Sequence, residues 1–154
     1  MVHRMLHEDI RTTQDAAQKL QRAFAKAHDR VIKKEGIKST TELLGGIFGR
    51  LDDGGNNDWA IVACSVGHCK AFTLHVSDCS VVDITQNNYL YNYSAPKGAL
   101  GPVLGNAPNL DNMSLYCHIC QPGDLVVFTT QGIHKNFHPQ FVRTHPRHLV
   151  FFPI

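Results

Sequence analysis

Apolar residues recur every three or four positions from Ala16 to Val31, and this pattern constrains the fold more than any other stretch of the sequence. The spacing places them in a single stripe along an α-helix, so one face of the segment is buried. Either of the threonines at positions 12 and 13 can cap the start, and Gly36 favours an end just before it. We therefore predict a long helix over residues 12–35, whose opposite face is basic and solvated.

The remainder of the chain is typical of strands separated by turns. The strand segments, between about residue 39 and 130, are TTELLGGIFGRL, DWAIVACSVG, KAFTLHV, SVVDIT, MSLYCHIC and DLVVFTT. Gly67-His68 joins the second to the third, and a Gln-Pro-Gly turn starting at Gln121 lies between the last two. Residues 86–112 are rich in Asn, Gly and Pro, which predicts a long surface loop. A short helix is predicted near Ile133. One long helix, antiparallel strands and no dividing linker predict one α+β domain over residues 1–154.

The composition excludes several classes of protein. Hydrophobic residues make up 43% of the chain, charged residues 18%, and the net charge is +2. This charge is too small for a dedicated nucleic-acid binder, and the apolar content is too high for disorder. No apolar run approaches the ~20 residues of a membrane helix, and the first residues lack a signal peptide's apolar region. Five cysteines without secretory context favour a reducing, cytoplasmic location. We expect neither nucleic acid nor membrane as a partner.

The carboxylates are concentrated in the first part of the chain. Nine of the thirteen Asp and Glu residues lie at or before Asp58, and beyond Asp83 only Asp111 and Asp124 remain. Residues 134–154 form a basic tail with four histidines and no acid. A hard dication needs several carboxylate oxygens, and this tail supplies none of them.

One spacing is close to that of a zinc finger: Cys117-x2-Cys120-x13-His134-x3-His138. In a finger, however, the hairpin turn lies between the two cysteines, whereas here the turn follows both. Residues three apart on a strand also point to opposite faces. We therefore interpret the two cysteines as small hydrophobic strand residues.

No nucleophilic site stands out in the sequence. Cys69 follows His68, but adjacent residues on a strand face opposite ways, and nothing indicates a thiolate with a lowered pKa. The segments GGIFGR and GALGPVLG match neither a Walker loop nor a dinucleotide fingerprint, and no G-x-S-x-G elbow occurs.

Four segments are informative because of their order: LQRAFAKAHDRV, STTELLGGIF, WAIVACSVGHCKAFTL and PGDLVVFTTQGIHKNF. Together they resemble the metal-dependent protein serine/threonine phosphatases of type 2C. The corresponding family pieces are an apolar helix, a Gly-Ser/Thr-Thr strand, an Ala-x-Val-Gly-Asp-Ser-Arg turn and a Gly-Asp segment that leads to Ser-Asp-Gly. GPVLGNAPNL is similar to a loop of divergent type-2C-like proteins of animals. The resemblance runs from Leu20 to Phe137, and it implies a partial α-β-β-α sandwich of antiparallel sheets.

The resemblance also implies two divalent ions, usually manganese or magnesium, held by aspartates, and this sequence departs from that pattern. His68 follows Gly67 where the family has Asp after Gly, and Gln131 stands before Gly132 where the family has Asp. A later acidic position of the family is Lys135. Glutamine and histidine each replace a negative charge, and lysine repels a metal ion. We therefore predict no catalytic, cofactor-binding or metal-ligating residues.

Two further family motifs are missing from their usual places. The Asp-Gly-His-Gly-Gly strand has no counterpart before Thr12, and no Asp-Asn-Met follows Gln131. Asp111-Asn112-Met113 spells the latter motif, but upstream of Cys117, so we interpret Asp111 as a chance match. The missing motifs lead us to expect a truncated domain.

Two hypotheses follow from the resemblance. The first is a catalytically inactive type 2C phosphatase-like domain, a pseudophosphatase, that binds a protein partner or a second copy through uncovered sheet edges. Its candidate contact surface is the 86–112 loop, with Tyr89, Tyr91 and Tyr93. The second is an active metal-dependent protein serine/threonine phosphatase with a rearranged manganese or magnesium site, or a softer ion such as zinc. Its candidate ligands are the histidines and Asp52, Asp53, Asp58 and Asp111. A zinc-binding regulatory module is a third alternative.

Overall fold

The computed structural model describes residues 10–34, 39–51, 59–86, 88 and 98–137. The amphipathic segment forms helix α1, Thr13–Lys33, close to the predicted bounds. Its start is fixed by two reciprocal hydrogen bonds, in which Asp15 N–H donates to Thr12 Oγ1 and Thr12 N–H donates to the Asp15 carboxylate, both at 3.0 Å. No helix among the described residues is long and apolar enough to cross a membrane.

In the part of the chain that the structure describes, eight strands follow α1, and they agree closely with the predicted segments outside the 86–112 region. They are β1 (Leu43–Arg50), β2 (Trp59–Val66), β3 (Lys70–Leu74), β4 (Val81–Asp83), β5 (Ala99–Leu104), β6 (Ala107–Asn109), β7 (Ser114–Cys120) and β8 (Leu125–Thr129). A short helix α2 (Gln131–His134) and a 3₁₀ turn (Lys135–Phe137) come after β8. The short helix therefore begins two residues before the predicted Ile133.

Two three-stranded antiparallel sheets form the body of the fold. Sheet A has the order β1-β2-β7, and sheet B has the order β4-β3-β8. Alternate side chains of β2 face α1, so Val62 and Cys64 pack with Leu20 and Phe24 of the helix in one buried cluster. The observed class is α+β, as predicted.

A second buried cluster lies between the two sheets. It joins Ile61 and Cys120 of sheet A to Ala71 of sheet B and to Ile84 just beyond β4. The layers are therefore α1, sheet A and sheet B, in that order, which agrees with the predicted partial sandwich. Gly46 of β1 leaves room for sheet B, because a Cβ there would lie 3.1 Å from the ring of Phe128.

Two short turns lead from sheet A to sheet B, at opposite ends of the sandwich. Residues 67–69 connect β2 of sheet A to β3 of sheet B, at what we call the Gly67 end. Residues 121–124 connect β7 of sheet A to β8 of sheet B, at what we call the Asp124 end. Strands adjacent in sequence across these turns are therefore not hydrogen-bonded to each other. Instead β2 pairs with β7 and β3 pairs with β8.

The predicted loop over residues 86–112 contains a hairpin instead of irregular backbone throughout. β5 and β6 pair antiparallel with an irregular register, and the turn between them includes Gly105 at φ +67°. Leu100 is 1% exposed and packs in the cluster beneath α1, while Gly101 N–H donates to His28 Nδ1 on the helix at 3.0 Å. The Gly and Asn residues are thus part of a hairpin, and the buried Leu100 packs this hairpin against α1. The three tyrosines of the predicted contact surface lie outside the described residues.

Candidate functional site

The Gly67 end brings together the two segments in which the family pattern places its aspartates. Gly67 and His68 lie in the connection from β2 to β3, and α2 begins at Gln131 directly after β8. The two segments touch through His134, whose Nε2–H donates to the backbone carbonyl oxygen of His68. The sequence motifs are therefore neighbours in space as well as in order.

Gly67 is held by a pair of buried asparagines. Its N–H donates to Asn112 Oδ1 at 3.1 Å, and its carbonyl oxygen accepts from Asn112 Nδ2 at 2.8 Å and Asn88 Nδ2 at 3.0 Å. Asn112 is 7% exposed and Asn88 3%. Gly67 has φ +99°, a conformation that favours glycine, so the asparagines stabilise a turn that other residues would strain. We call these three residues the amide clamp.

Sequence reasoning missed both asparagines of the clamp. The Asp-Asn-Met match drew attention to Asp111, which is exposed in a turn where its N–H donates to Asn109 Oδ1 at 2.9 Å. Its neighbour Asn112 is the residue that reaches Gly67. The Asp-Asn-Met motif could not predict this contact, because the partner Gly67 lies 45 positions earlier in the chain.

Glu42, just before β1, fills the space above the clamp. His68 Nδ1–H donates to its Oε1 at 3.0 Å, and Cys69 Sγ lies 4.0 Å from its Oε2. A methyl group on Gly67 would overlap this side chain, at 2.6 Å from the Glu42 Cβ. The expectation that His68 and Cys69 face opposite ways is therefore wrong, since both lie in a turn rather than on a strand and both approach one carboxylate.

This arrangement does not activate the Cys69 thiol. Burial, and then the Glu42 charge, raise the pKa of Cys69 to about 11. A reactive cysteine needs its thiolate populated near neutral pH. The raised pKa therefore disfavours a populated Cys69 thiolate at neutral pH.

A buried lysine engages the other carboxylate described at this end. Lys70 is 1% exposed, and its Nζ donates to Asp83 Oδ2 at 2.9 Å and to the Thr85 carbonyl oxygen at 2.8 Å. Burial lowers the pKa of Lys70, while the hydrogen bond to Asp83 opposes that shift. Asp83 Oδ1 also accepts from Thr85 N–H and Oγ1–H. Both oxygens of Asp83 are thus occupied by protein donors.

His134 completes this set of residues as a neutral imidazole. Burial lowers its pKa first, and the nearby Lys70 and His68 lower it further, against the opposing hydrogen bond and the Glu42 charge. Its Nδ1 is buried without a hydrogen-bond partner in the described part of the chain. The neutral ring therefore satisfies the His68 carbonyl oxygen and places no positive charge beside Lys70.

The described residues of the Gly67 end do not fit a pair of hard dications. Such ions take several carboxylate oxygens, yet Glu42 is engaged by His68 and Asp83 is engaged by Lys70. Among residues 10–34, 39–51, 59–86, 88 and 98–137, no group of three or more His, Cys, Asp or Glu side chains is arranged to hold a metal ion. Gln131 and Lys135 are partly buried on the α2 segment, and Gly132 is exposed there. Asp52, Asp53 and Asp58 lie outside the described residues.

The zinc-finger spacing is likewise not assembled. Cys117 is exposed and Cys120 is buried on opposite faces of β7, as the strand argument predicts. Cys120 pairs with Trp59 at the Asp124 end, whereas His134 lies at the Gly67 end. His138 and the rest of the basic tail lie outside the described residues.

Comparison with known proteins finds one relevant similarity. A PP2C-like domain-containing protein of Drosophila melanogaster is 28% identical to this chain over 132 residues. This match supports a PP2C-like relationship at most. The match covers 83% of this chain but 18% of the fly protein, so the chain spans less than a fifth of the length of that relative. No protein-family model matches the chain, and no solved structure matches it significantly.

Proposed function

We propose that this chain is a PP2C-like domain that lacks metal-dependent phosphatase activity and acts by binding other protein chains. The observation that carries the proposal is the state of Glu42 and Asp83, two of the carboxylates at the Gly67 end. Glu42 is hydrogen-bonded to His68, and Asp83 is paired with the buried Lys70. A metal ion would have to compete with His68 and Lys70 for these carboxylates.

The electrostatics of the surrounding residues support the same proposal. Lys70 brings a positive charge, and the motif positions carry His68, Gln131 and Lys135 instead of acids. In a metal-assisted phosphoryl transfer the ions neutralise the charge that develops on the phosphate. Without several carboxylates to hold them, that contribution is lost and hydrolysis stays close to the uncatalysed rate.

Exposed apolar side chains support a role in protein binding. On β7, Leu115 and Ile119 are 43% and 56% exposed beside α1. On the outer face of sheet B, Val81 of β4 and Leu125 of β8 flank Leu74 of the central strand, and they are 62% and 57% exposed. Among the described residues no element covers these two surfaces, and apolar patches of this kind mark interaction sites.

The catalytic half of the proposal is tested by hydrolysis of p-nitrophenyl phosphate and of a phosphothreonine peptide, with manganese or magnesium added. We expect no metal-dependent turnover, and no manganese binding by calorimetry. Manganese-dependent activity that is lost in Asp111→Ala, but kept in the exposed control Asp78→Ala, would establish instead a working phosphatase with a rearranged site.

The binding half is tested by sedimentation velocity at micromolar concentration. We expect self-association that weakens in Ile119→Lys and persists in the control Gln21→Lys on the solvated face of α1. A monodisperse monomer rules out a second copy as the partner. If in addition Ile119→Lys leaves binding to a cross-linked cellular partner unchanged, the β7 surface has no binding role.

A further inference from the structure

The Asp124 end carries a cluster of titratable groups that the proposed function does not use. Asp124 accepts three hydrogen bonds: from Gln121 N–H at 2.8 Å, from Val76 N–H at 3.3 Å and from His75 Nδ1–H at 2.7 Å. Its side chain is 3% exposed. One carboxylate thus fastens the turn 121–124 to the segment that follows β3.

His118 lies directly beside this carboxylate–imidazole pair. It is on the β7 face that points toward sheet B, and its ring centroid is 5.8 Å from that of His75, with the planes inclined by 43°. Its Nε2 is buried and has no hydrogen-bond partner among the described residues. If His118 gained a proton, the N–H at its Nε2 would therefore have no hydrogen-bond acceptor among the described residues.

Burial, and then the neighbouring His75, lower the pKa of His118, while the charge of Asp124 opposes the shift. Hydrogen bonds from Gln121, and then from His75 and Val76, hold the pKa of Asp124 below its ordinary value, so that carboxylate stays ionised throughout the range in which imidazoles titrate. The other titratable groups that face the cluster are Cys120 on β7 and Asp78 beyond β3. Burial raises the pKa of the Cys120 thiol, which stays neutral, and the Asp78 carboxylate is exposed to solvent.

The turn that Asp124 fastens is also one wall of a pocket. The pocket has a volume of about 320 Å³ and is lined by Phe48, Trp59, Cys120, Gln121, Pro122, Gly123, Asp124 and Val126. Phe48 and Trp59 are 50% and 41% exposed there. Any movement of the turn therefore changes the shape of an aromatic-lined opening between the two sheets.

We infer that His118, His75 and Asp124 form a proton-sensitive latch that holds the turn 121–124 closed against this pocket. With His118 neutral, the His75–Asp124 bond is intact and the wall is fixed. A proton on His118 places a buried charge beside His75, and the least costly response is for the turn to swing out and admit water. Because the native pKa of His118 lies below its unfolded value, the closed latch is fully stable above about pH 6.5 and loosens as the pH falls below it.

Trp59 is the only tryptophan of the chain and lines the same pocket, so its fluorescence reports the position of the turn. The test follows Trp59 emission and acrylamide quenching between about pH 8 and pH 5. Far-UV circular dichroism is recorded in parallel. We expect a red shift and increased quenching at the acid end, while the secondary structure is retained.

Two variants separate the latch from general acid sensitivity. His118→Gln removes the added proton and should abolish the pH-dependent part of the Trp59 signal. His134→Gln is the matched control, since His134 is also a buried histidine with a lowered pKa but lies at the Gly67 end. His75→Gln should give the open signal already at the alkaline end. An unchanged transition in His118→Gln, or a Trp59 transition that coincides with loss of secondary structure, would overturn the latch.

Discussion

The Gly67 end and the Asp124 end of the sandwich perform the same structural task, because each holds a turn that joins sheet A to sheet B. They do it with different chemistry. At the Gly67 end Gly67 is held by the neutral amides of Asn88 and Asn112, and the carboxylates Glu42 and Asp83 contact His68 and the buried Lys70 instead. At the Asp124 end a single carboxylate binds two backbone N–H groups and an imidazole. The end that carries the family's motif positions is therefore the one whose glycine turn is held by neutral amides rather than by a carboxylate.

The strongest way to break this comparison is to remove the buried cation. Lys70→Met keeps most of the packing but leaves Asp83 and the Thr85 carbonyl without their donor. We expect a loss of about 3 kcal/mol, at the low end of the range for a broken buried pair because the Asp83 side chain is 24% exposed. Urea unfolding measures it, with Lys26→Met on the solvated face of α1 as a control that stays within about 0.5 kcal/mol. Equal losses in the two variants would show that the pair is not a main support of this end.

The amide clamp is tested by Asn112→Ala. The change leaves the N–H of Gly67 without an acceptor and removes one of the two donors to its carbonyl oxygen. Unsatisfied buried groups make this cost about 2 kcal/mol in the free energy of unfolding. Asn136→Ala removes an exposed side-chain hydrogen bond to Gly132 and serves as the control, with a change near zero. A clamp that contributes nothing would give the two variants the same unfolding midpoint.

The smallest effect compares the two turns directly. Gly67 and Gly123 have nearly the same φ, at +99° and +98°, and each lies in a connection between the sheets. Alanine strains either position by about 1 kcal/mol. At Gly123 a Cβ meets no atom within 4 Å, whereas at Gly67 it overlaps Glu42. We therefore expect Gly67→Ala to lose about 1 kcal/mol more than Gly123→Ala, by thermal unfolding. Equal losses would mean that Glu42 moves aside at no cost.

Local pattern was sufficient to predict the elements of the fold, but not their partners. The stripe of α1 and the apolar runs of β2 and β3 depend on neighbours in sequence, so their existence could be predicted. The pairing of β7 with β2, rather than with the adjacent β8, depends on residues far apart along the chain. The hairpin at 99–109 was missed because its Gly, Asn and Pro content is equally typical of a loop.

The candidate site shows the same division. The positions of His68 and Gln131 could be predicted from the order of motifs, since short strings similar to the family's motifs mark them. Asn88, Asn112, Glu42 and Lys70 could not, because ordinary polar residues acquire their role only when the fold buries them next to Gly67. The roles of His75 and Asp124 could not be predicted either. Their hydrogen bond joins the segment after β3 to the turn before β8, 49 positions further along the chain.

The presence of two separate turns from sheet A to sheet B has a consequence for how the chain folds. Paired residues of β2 and β7, such as Trp59 and Cys120, and of β3 and β8, such as Lys70 and Thr129, are about fifty to sixty positions apart. Neither sheet is formed by a continuous piece of chain. Sheet A is complete only when β7 pairs with β2, and sheet B only when β8 pairs with β3. Contacts of this separation slow folding and leave central strands exposed in the meantime. The apolar β2 is therefore the segment most in need of protection during synthesis, and folding is expected to be one cooperative event rather than a sheet-by-sheet assembly.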